Sequence, residues 1–233
     1  MTLAFSVDGR PVEVDDDGAS LLEVLRDRLG LRTAKDGCSP QGQCGCCTVL
    51  VDDQPRVACV TPARRVAGRR VTTLAGLDAG VRGAWAEALC AAGGSQCGFC
   101  TPGIIVRLST LRDLSAPRVH QALLAHLCRC TGWQTVVKAA GSVGTAADAP
   151  RDLAAAARRA AIEGGNPQAV GPDVALGAGG FADDVAPPDA LVAVPSRAGG
   201  WAVAETLTEA RALAGKVQGR RSTAPLTHPL EVP

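Results

Sequence analysis

The residues best suited to chemistry in this 233-residue chain are its ten cysteines. Two sets of four have spacings typical of metal ligation. These sets are Cys38, Cys44, Cys47 and Cys59, followed by Cys97, Cys100, Cys128 and Cys130. A cytosolic compartment keeps thiols reduced, so we expect metal binding or redox chemistry rather than a disulfide framework.

The first set nearly follows the plant-type [2Fe-2S] pattern, C-x4-C-x2-C with a distant fourth cysteine. Five residues rather than four separate Cys38 from Cys44, while Cys47 keeps the two-residue spacing and Cys59 lies on a later predicted strand. The glycine-rich loop lets backbone amides turn towards an anionic cluster. A four-thiolate zinc site is the alternative, although such sites usually combine two CxxC knuckles. Cys46 is left over and is interpreted as a small buried thiol.

The second set combines a CxxC and a CxC motif with 27 residues between them. Each motif precedes a predicted helix start, one at Pro102 and one near Thr131. Two helix N-termini would direct partial positive charge at one site, which suits an anionic cluster. A zinc site and a redox dithiol are the alternatives here. Cys90 lies beside Leu89 on the apolar side of a predicted helix, and we interpret it as a core residue.

The elements that must position the first set are mostly strands. Two short runs of alternating apolar and polar residues flank an Asp-Gly turn, and a Ser-x-x-Glu capping box opens one helix. β-Branched residues are frequent in the predicted strands after residue 48. The predicted order is strands at 3–7 and 11–15, a helix at 20–29, and strands at 48–53, 55–60 and 71–74. Residues 1–76 therefore predict a small mixed sheet packed on one helix.

The second set lies in a segment with helical periodicity. The predicted helices span 80–92, 102–114, 117–127 and 131–142, and their short connections predict a compact four-helix bundle over residues 77–143.

A third region, residues 144–233, has a different character. A further helix is predicted at 151–163. Residues 164–200 then contain eight Gly and five Pro, which predicts an extended arm lying across a partner.

Composition narrows the classes of function. The formal charge is +1, from 24 basic and 23 acidic residues, and only 3% of residues are aromatic with no Tyr. This balance disfavours nucleic-acid binding. The N-terminus lacks the apolar stretch of a signal peptide, and no run approaches the ~18 apolar residues that span a bilayer. We therefore expect a cytoplasmic protein without membrane insertion.

The strings GCSPQGQCGCCTV, QCGFCTPG and LCRCTG, together with Cys59, resemble the iron–sulfur (small) subunits of the molybdenum hydroxylases, the xanthine dehydrogenase and carbon monoxide dehydrogenase group. The resemblance covers residues 1 to about 142. It implies an α+β fold, with a plant-ferredoxin-like β-grasp domain followed by a four-helix bundle and, in this chain, an extended C-terminal arm. It also implies that the two cysteine sets hold two [2Fe-2S] clusters.

The function implied by this resemblance is electron transfer within an oxidoreductase. A molybdenum–pterin cofactor on a large partner subunit would hydroxylate the substrate, and electrons would pass through the two clusters to FAD on a medium subunit or to another acceptor. No catalytic residue is then expected on this chain. By position, Gln96 would hydrogen-bond the pterin, and Cys130 would both ligate iron and lie beside the pterin.

Two features depart from the family pattern: the lengthened loop before Cys44, and Cys46 where the family usually has Ala. GAGGFADDVAPPDALVAVP in the arm is similar to the opening of the molybdenum-binding large subunit. His120 and His126 are interpreted as surface or bundle residues, not ligands. The competing functions are a zinc-stapled protein-interaction module and a thiol redox sensor. A self-sufficient enzyme is disfavoured because the chain has no nucleotide-binding glycine fingerprint.

Overall fold

The computed structural model describes residues 2–38, 40–145, 151–165, 168–187 and 189–215. The chain divides into two compact units, Met1–Pro188 and Asp189–Pro233, and both cysteine sets lie in the first. No helix within the described ranges is long and apolar enough to cross a membrane.

A five-stranded mixed sheet carries the first cysteine set. Its strands are β1 (Thr2–Val7), β2 (Arg10–Asp15), β3 (Thr48–Val51), β4 (Gln54–Val57) and β5 (Arg70–Thr72). Their order across the sheet is β2-β1-β5-β3-β4. β1 pairs in parallel with β5, and the other neighbours pair antiparallel. The predicted fifth strand therefore joins the two hairpins.

Both predicted hairpins are confirmed, and both turn tightly. Asp8 (φ 50°) and Gly9 (φ 80°) make the first turn, and Asp52 (φ 47°) and Asp53 (φ 63°) make the second. Positive φ at both central residues is the type I′ geometry that matches the twist of the flanking strands. The predicted strand at 55–60 ends at Val57, so Cys59, expected on that strand, instead lies in the short 3₁₀ turn Ala58–Val60.

The predicted cap at Ser20 opens a helix that buries its leucines in the sheet core. α1 (Leu21–Glu23) begins with the Ser20 side chain accepting from the Glu23 N–H, and it continues as a π-helix, Val24–Arg28. Leu25 is fully buried there. The position of the helix is confirmed, while its second part is more loosely wound than the predicted α-helix.

Four helices carry the second cysteine set: α2 (Ala79–Ala92), α3 (Thr101–Leu108), α4 (Ala116–Ala122) and α5 (Gln134–Ser142). Three of them are shorter than predicted. α3 ends early because the Ser109 and Thr110 hydroxyls donate to carbonyls of the preceding turn, a local bond that competes with helix continuation. α5 begins three residues after Thr131 because Trp133 has φ 73°.

Residues 151–187 add three helices to the first unit. α6 (Leu153–Ile162) confirms the predicted helix, and α7 (Pro172–Ala175) and α8 (Ala182–Val185) follow it. Val174 and Ala175 are buried. Residues 171–187 are therefore packed against the body of this unit, where the sequence predicted an extended arm.

The second unit contains a β-hairpin and a helix: β6 (Val192–Pro195), β7 (Trp201–Ala204) and α9 (Leu207–Leu213), the last opened by a capping box between Thr206 and Glu209. Gly199 (φ 91°) and Gly200 (φ 72°) lie in the hairpin loop. These glycines counted towards an irregular arm in the sequence, but here they make a turn between strands. The rest of the predicted arm, at 166–167, 188 and 216–233, lies outside the described residues.

Candidate metal centres

The first cysteine set converges around the loop between α1 and β3. The Cys38 thiol is in hydrogen-bond contact with those of Cys44 and Cys59. The Cys59 N–H donates to Cys47 Sγ at 3.4 Å, and the Gln41 N–H donates to Cys38 Sγ at 3.3 Å. All four predicted thiols are therefore brought together, and backbone amides point at two of their sulfur atoms.

Hydrogen bonding between these thiols favours thiolate at two positions. A hydrogen bond from Cys46 lowers the pKa of Cys44 to about 5, and one from Cys47 lowers the pKa of Cys59 to about 7. The donating thiols of Cys46 and Cys47 have their pKa values raised by the same hydrogen bonds. Thiolate is the form that ligates metal, so the loop is electrostatically suited to bind one.

Cys46, the extra thiol of the loop, is buried with 3% exposure. It belongs to the apolar cluster that contains Cys100 and the buried residues of α3, rather than to the sheet core. Its Sγ lies 3.6 Å from the Cys44 carbonyl oxygen. Cys46 is buried as expected and packs towards the second site, while its exclusion from the ligands stays a prediction.

The second set meets where α3 begins. Cys100 is the residue before the first turn of α3, and its hydrogen bond lowers the pKa of Cys128 to about 5. Cys97 Sγ and Cys130 Sγ are 3.4 Å apart. The site therefore contains two thiol pairs, 97–130 and 100–128, drawn from both motifs.

One electrostatic expectation for this site is wrong. The N-terminus of α3 directly follows Cys100, as predicted, so its amides lie at the site. α5 begins only at Gln134, after a turn through Gly132 and Trp133, so the second motif does not lead directly into a helix. A single helix terminus, rather than two, directly follows a cysteine of this set.

Both sites have the donor chemistry that a [2Fe-2S] cluster needs. Such a cluster takes four thiolates. Within the described ranges, no three His, Cys, Asp or Glu side chains form a group that could hold one metal ion. In the first site Cys38 contacts Cys44 and Cys59, and Cys47 contacts Cys59, while in the second site the contacts are 97–130 and 100–128. These eight cysteines could hold two such clusters.

The loops of the two sites touch each other directly. The Leu127 N–H donates to the Cys44 carbonyl oxygen at 2.9 Å. A Cβ added to Gly103 in α3 would lie 2.2 Å from the Gly45 carbonyl oxygen, so the first loop rests on the backbone of α3. A Cβ added to Gly37 would lie 3.0 Å from the ring of Phe99, which stands between Cys97 and Cys100. Glycine at Gly37 and Gly103 therefore permits close contact between the sites.

His126 takes part in this contact, which the sequence did not reveal. Its ring covers Gly45, and Nε2 lies 3.3 Å from Thr48 Oγ1. Burial lowers the pKa of His126 to about 4, so the imidazole is neutral near neutral pH. That it is not a ligand stays a prediction, and the structure places it between the two loops. His120 is exposed on α4.

The two residues predicted to meet a pterin are both at the surface. Gln96 and Cys130 are exposed, and the contact between Cys97 and Cys130 places them at the same end of the second site. Gln96 also lines a polar surface cavity of about 270 Å³ together with Arg151 and Arg159. A cofactor held by another chain could reach both residues.

Comparisons with known proteins agree with this geometry. Two family profiles match, a "2Fe-2S iron-sulfur cluster binding domain" at residues 5–69 and a "[2Fe-2S] binding domain" at residues 73–141. The xanthine dehydrogenase iron-sulfur-binding subunit of Escherichia coli O157:H7 is 35% identical over 149 residues, which are 59% of this chain and 90% of that subunit.

Longer proteins are similar over part of their length. Aldehyde oxidoreductase of Megalodesulfovibrio gigas is 42% identical over 136 residues, which are 53% of this chain but only 14% of that enzyme. The crystal structure of the aldehyde oxidoreductase from Desulfovibrio desulfuricans superimposes with a TM-score of 0.63 at 28% identity. That match covers 84% of this chain and 23% of the other, so it extends beyond the two matched domains.

Proposed function

The chain belongs to the iron–sulfur subunits of the molybdenum hydroxylases, and we propose that it is the electron-transfer subunit of such an oxidoreductase. The observation that carries this proposal is the direct contact between the two loops that carry the two sets of four cysteines. A one-electron relay needs two redox centres held close together within a stable scaffold, and the contact between the two loops provides that arrangement.

We propose that Cys38, Cys44, Cys47 and Cys59 hold one [2Fe-2S] cluster. Cys97, Cys100, Cys128 and Cys130 would hold the other. When bound, these clusters supply one-electron oxidation and reduction. The chain supplies the ligands, the amide donors at Cys38 and Cys47, and burial of four of the eight ligand cysteines, which limits solvent access to their sulfur atoms: Cys44, Cys47, Cys59 and Cys100.

The exposed end of the second site supports a proposal for where electrons enter. Cys130 is exposed, whereas Cys44, Cys47 and Cys59 are buried. We propose that Gln96 donates a hydrogen bond to a molybdenum–pterin cofactor on a large partner subunit, with Cys130 beside that cofactor. Electrons would then pass to the first site and on to FAD on a medium subunit, or to another acceptor.

Membership of this family also supports proposals for the domain types and for the C-terminal extension. We propose that residues 1–76 form the β-grasp domain and that α2 to α5, within residues 77–143, are the family's four-helix bundle. The extension 144–233 would contact the large subunit and resemble its opening segment, an inference supported by the long structural match to aldehyde oxidoreductase. We place the assembled complex in the cytoplasm.

Metal analysis of the chain tests this proposal against the zinc-stapled module. The full chain, produced in iron-replete cells and purified without oxygen, should contain about four irons and four sulfides, which is two clusters of two irons each. Two zinc ions with no iron or sulfide would contradict the proposal and favour the interaction module. A colourless, metal-free protein with reversible dithiol oxidation would instead favour the redox sensor.

A further inference from the structure

Residues 171–187 form a strap, a name used here for the segment that contains α7 and α8. The strap crosses from the Cys97–Cys100 loop to the segment that precedes the first cysteine loop. Two groups of contacts hold it, one to buried cations and one to the second cysteine loop, and they alternate along the segment.

The first anchor is a buried group of charges. The Asp184 carboxylate pairs with Lys35 and with Arg26 Nη2, the latter at 3.0 Å. The side chain of Lys35 is only 1% exposed and that of Arg26 only 5%. Lys35 Nζ also donates to the Gly177 carbonyl oxygen of the strap at 2.9 Å. A buried cation without its partner is strongly destabilising, so the strap is needed to neutralise this site.

The exposed neighbour Asp183 plays a smaller part in that anchor. It also pairs with Arg26, but its side chain is 75% exposed. Solvent screens such a pair, so most of the anchoring is expected to come from Asp184.

The second anchor is aromatic and lies on the second cysteine loop. The Phe181 ring meets Phe99 edge to face, with centroids 4.9 Å apart and planes at 88°. A Cβ added to Gly98 would lie 2.2 Å from the Val174 carbonyl oxygen, and one added to Gly179 would lie 2.8 Å from the Cys97 carbonyl oxygen. The strap therefore rests directly on the CxxC backbone.

The two anchors meet at the contact between the cysteine loops. Phe99, covered by Phe181, packs on Gly37 of the first loop. The Lys35 N–H donates to the Cys46 carbonyl oxygen at 3.1 Å, and Lys35 Nζ lies 5.8 Å from the centre of the Phe181 ring. A continuous set of contacts thus joins Asp184 through Lys35 and Phe181 to both loops.

We propose that the strap holds the two cysteine loops at a fixed separation and keeps water out of the contact between them, with Asp184 and Phe181 as positioning residues for electron transfer. This inference rests on the proposed relay function. Solvent access and nearby charge both set the potential of an iron–sulfur site. Opening the strap should therefore change the redox properties of the chain as well as its local stability.

The test compares the full-length wild-type chain with Asp184→Asn and Phe181→Ala. Asp53→Asn is the matched charge control, because Asp53 pairs with Arg70 at the surface and its side chain is 72% exposed. Hydrogen exchange of residues 171–187, read by mass spectrometry, should be at least about tenfold faster in the two strap variants, the factor that corresponds to losing one buried anchor. The control should exchange at the wild-type rate.

Low-temperature EPR of the fully reduced protein supplies the second readout. Both strap variants should show a smaller magnetic splitting between the two centres and a higher reduction potential for at least one. Because Phe181→Ala alters no charge, a changed potential in this variant reports solvent access rather than the loss of a nearby charge.

Two results would overturn the inference. Unchanged exchange in both strap variants would show that these residues do not anchor the segment. Faster exchange with wild-type splitting and potentials would show that the strap does not position the loops. Failure of the relay function itself would be seen separately, as wild-type protein without iron and sulfide, and the exchange comparison can be made on that protein as well.

Discussion

Replacing Gly103 with alanine should separate the two cysteine loops. The new Cβ would lie 2.2 Å from the Gly45 carbonyl oxygen and 3.0 Å from two backbone atoms of Cys46, whereas ordinary contacts begin near 3.4 Å. The oxygen cannot simply rotate away, because it accepts from the Thr48 N–H at 3.1 Å and from the Thr48 hydroxyl at 2.7 Å. The backbone must therefore move by about 1 Å.

Overpacking of this kind typically costs about 1–3 kcal/mol. Alanine in a helix regains about 0.5–1 kcal/mol relative to glycine. We therefore expect Gly103→Ala to lower the free energy of unfolding by about 1–2 kcal/mol. Gly83→Ala in α2 is the matched control, because its Cβ would meet nothing within 4 Å. That variant should gain about 0.5–1 kcal/mol.

Urea unfolding followed by tryptophan fluorescence measures both variants, since Trp85 is buried in the helical core. The Gly103→Ala midpoint should fall below that of the wild type, and the Gly83→Ala midpoint should rise above it, with equal slopes. A Gly103→Ala midpoint at or above the wild-type value would refute the packing of the first loop on α3.

Three further predictions concern individual side chains. Cys59→Ser should abolish only the EPR signal of the first centre and Cys128→Ser only that of the second; loss of both signals in either variant would mean that the ligands are wrongly divided. Cys46→Ala should keep about four irons per chain, two in each cluster, because we propose that Cys46 is not a ligand, whereas Cys44→Ala should lose about two. Burial lowers the pKa of His126 from 6.5 to about 4. As the pH falls, the unfolded chain therefore binds a proton on this imidazole before the folded chain does. The free energy of unfolding then decreases between pH 6.5 and pH 4, by up to about 1.4 kcal/mol per pH unit. His126→Gln should flatten that dependence in urea unfolding at pH 7 and pH 5, while the exposed control His120→Gln should retain it. An unchanged slope in His126→Gln would contradict the half-buried, neutral imidazole.

The cysteine spacing predicted the two thiol sets because ligand spacing is local information. The same holds for the two hairpins, whose Asp-rich turns specify their own geometry. Cys46 shows the limit of such reasoning: the sequence indicates a spare thiol, but only the fold shows that this thiol packs beside α3 and Cys100.

The contact between the two sites could not be predicted in this way. Asp184 and Lys35 are 149 residues apart, and nothing in their local sequence indicates that they pair. Gly103 looks like an ordinary helix glycine until the first loop is placed against it. The glycines near residue 200 suggested irregular chain, but they serve a hairpin loop. Each of these features depends on long-range packing, which periodicity and composition do not encode.

The most direct test of the electron-transfer account is an EPR-monitored redox titration of the purified full-length chain under anaerobic conditions. We predict two distinguishable [2Fe-2S] signals, each integrating to about one spin per chain and each appearing at its own potential, because one cluster accepts one electron in each four-thiolate site. A single signal, or a protein that stays EPR-silent on reduction while containing zinc, would contradict the account.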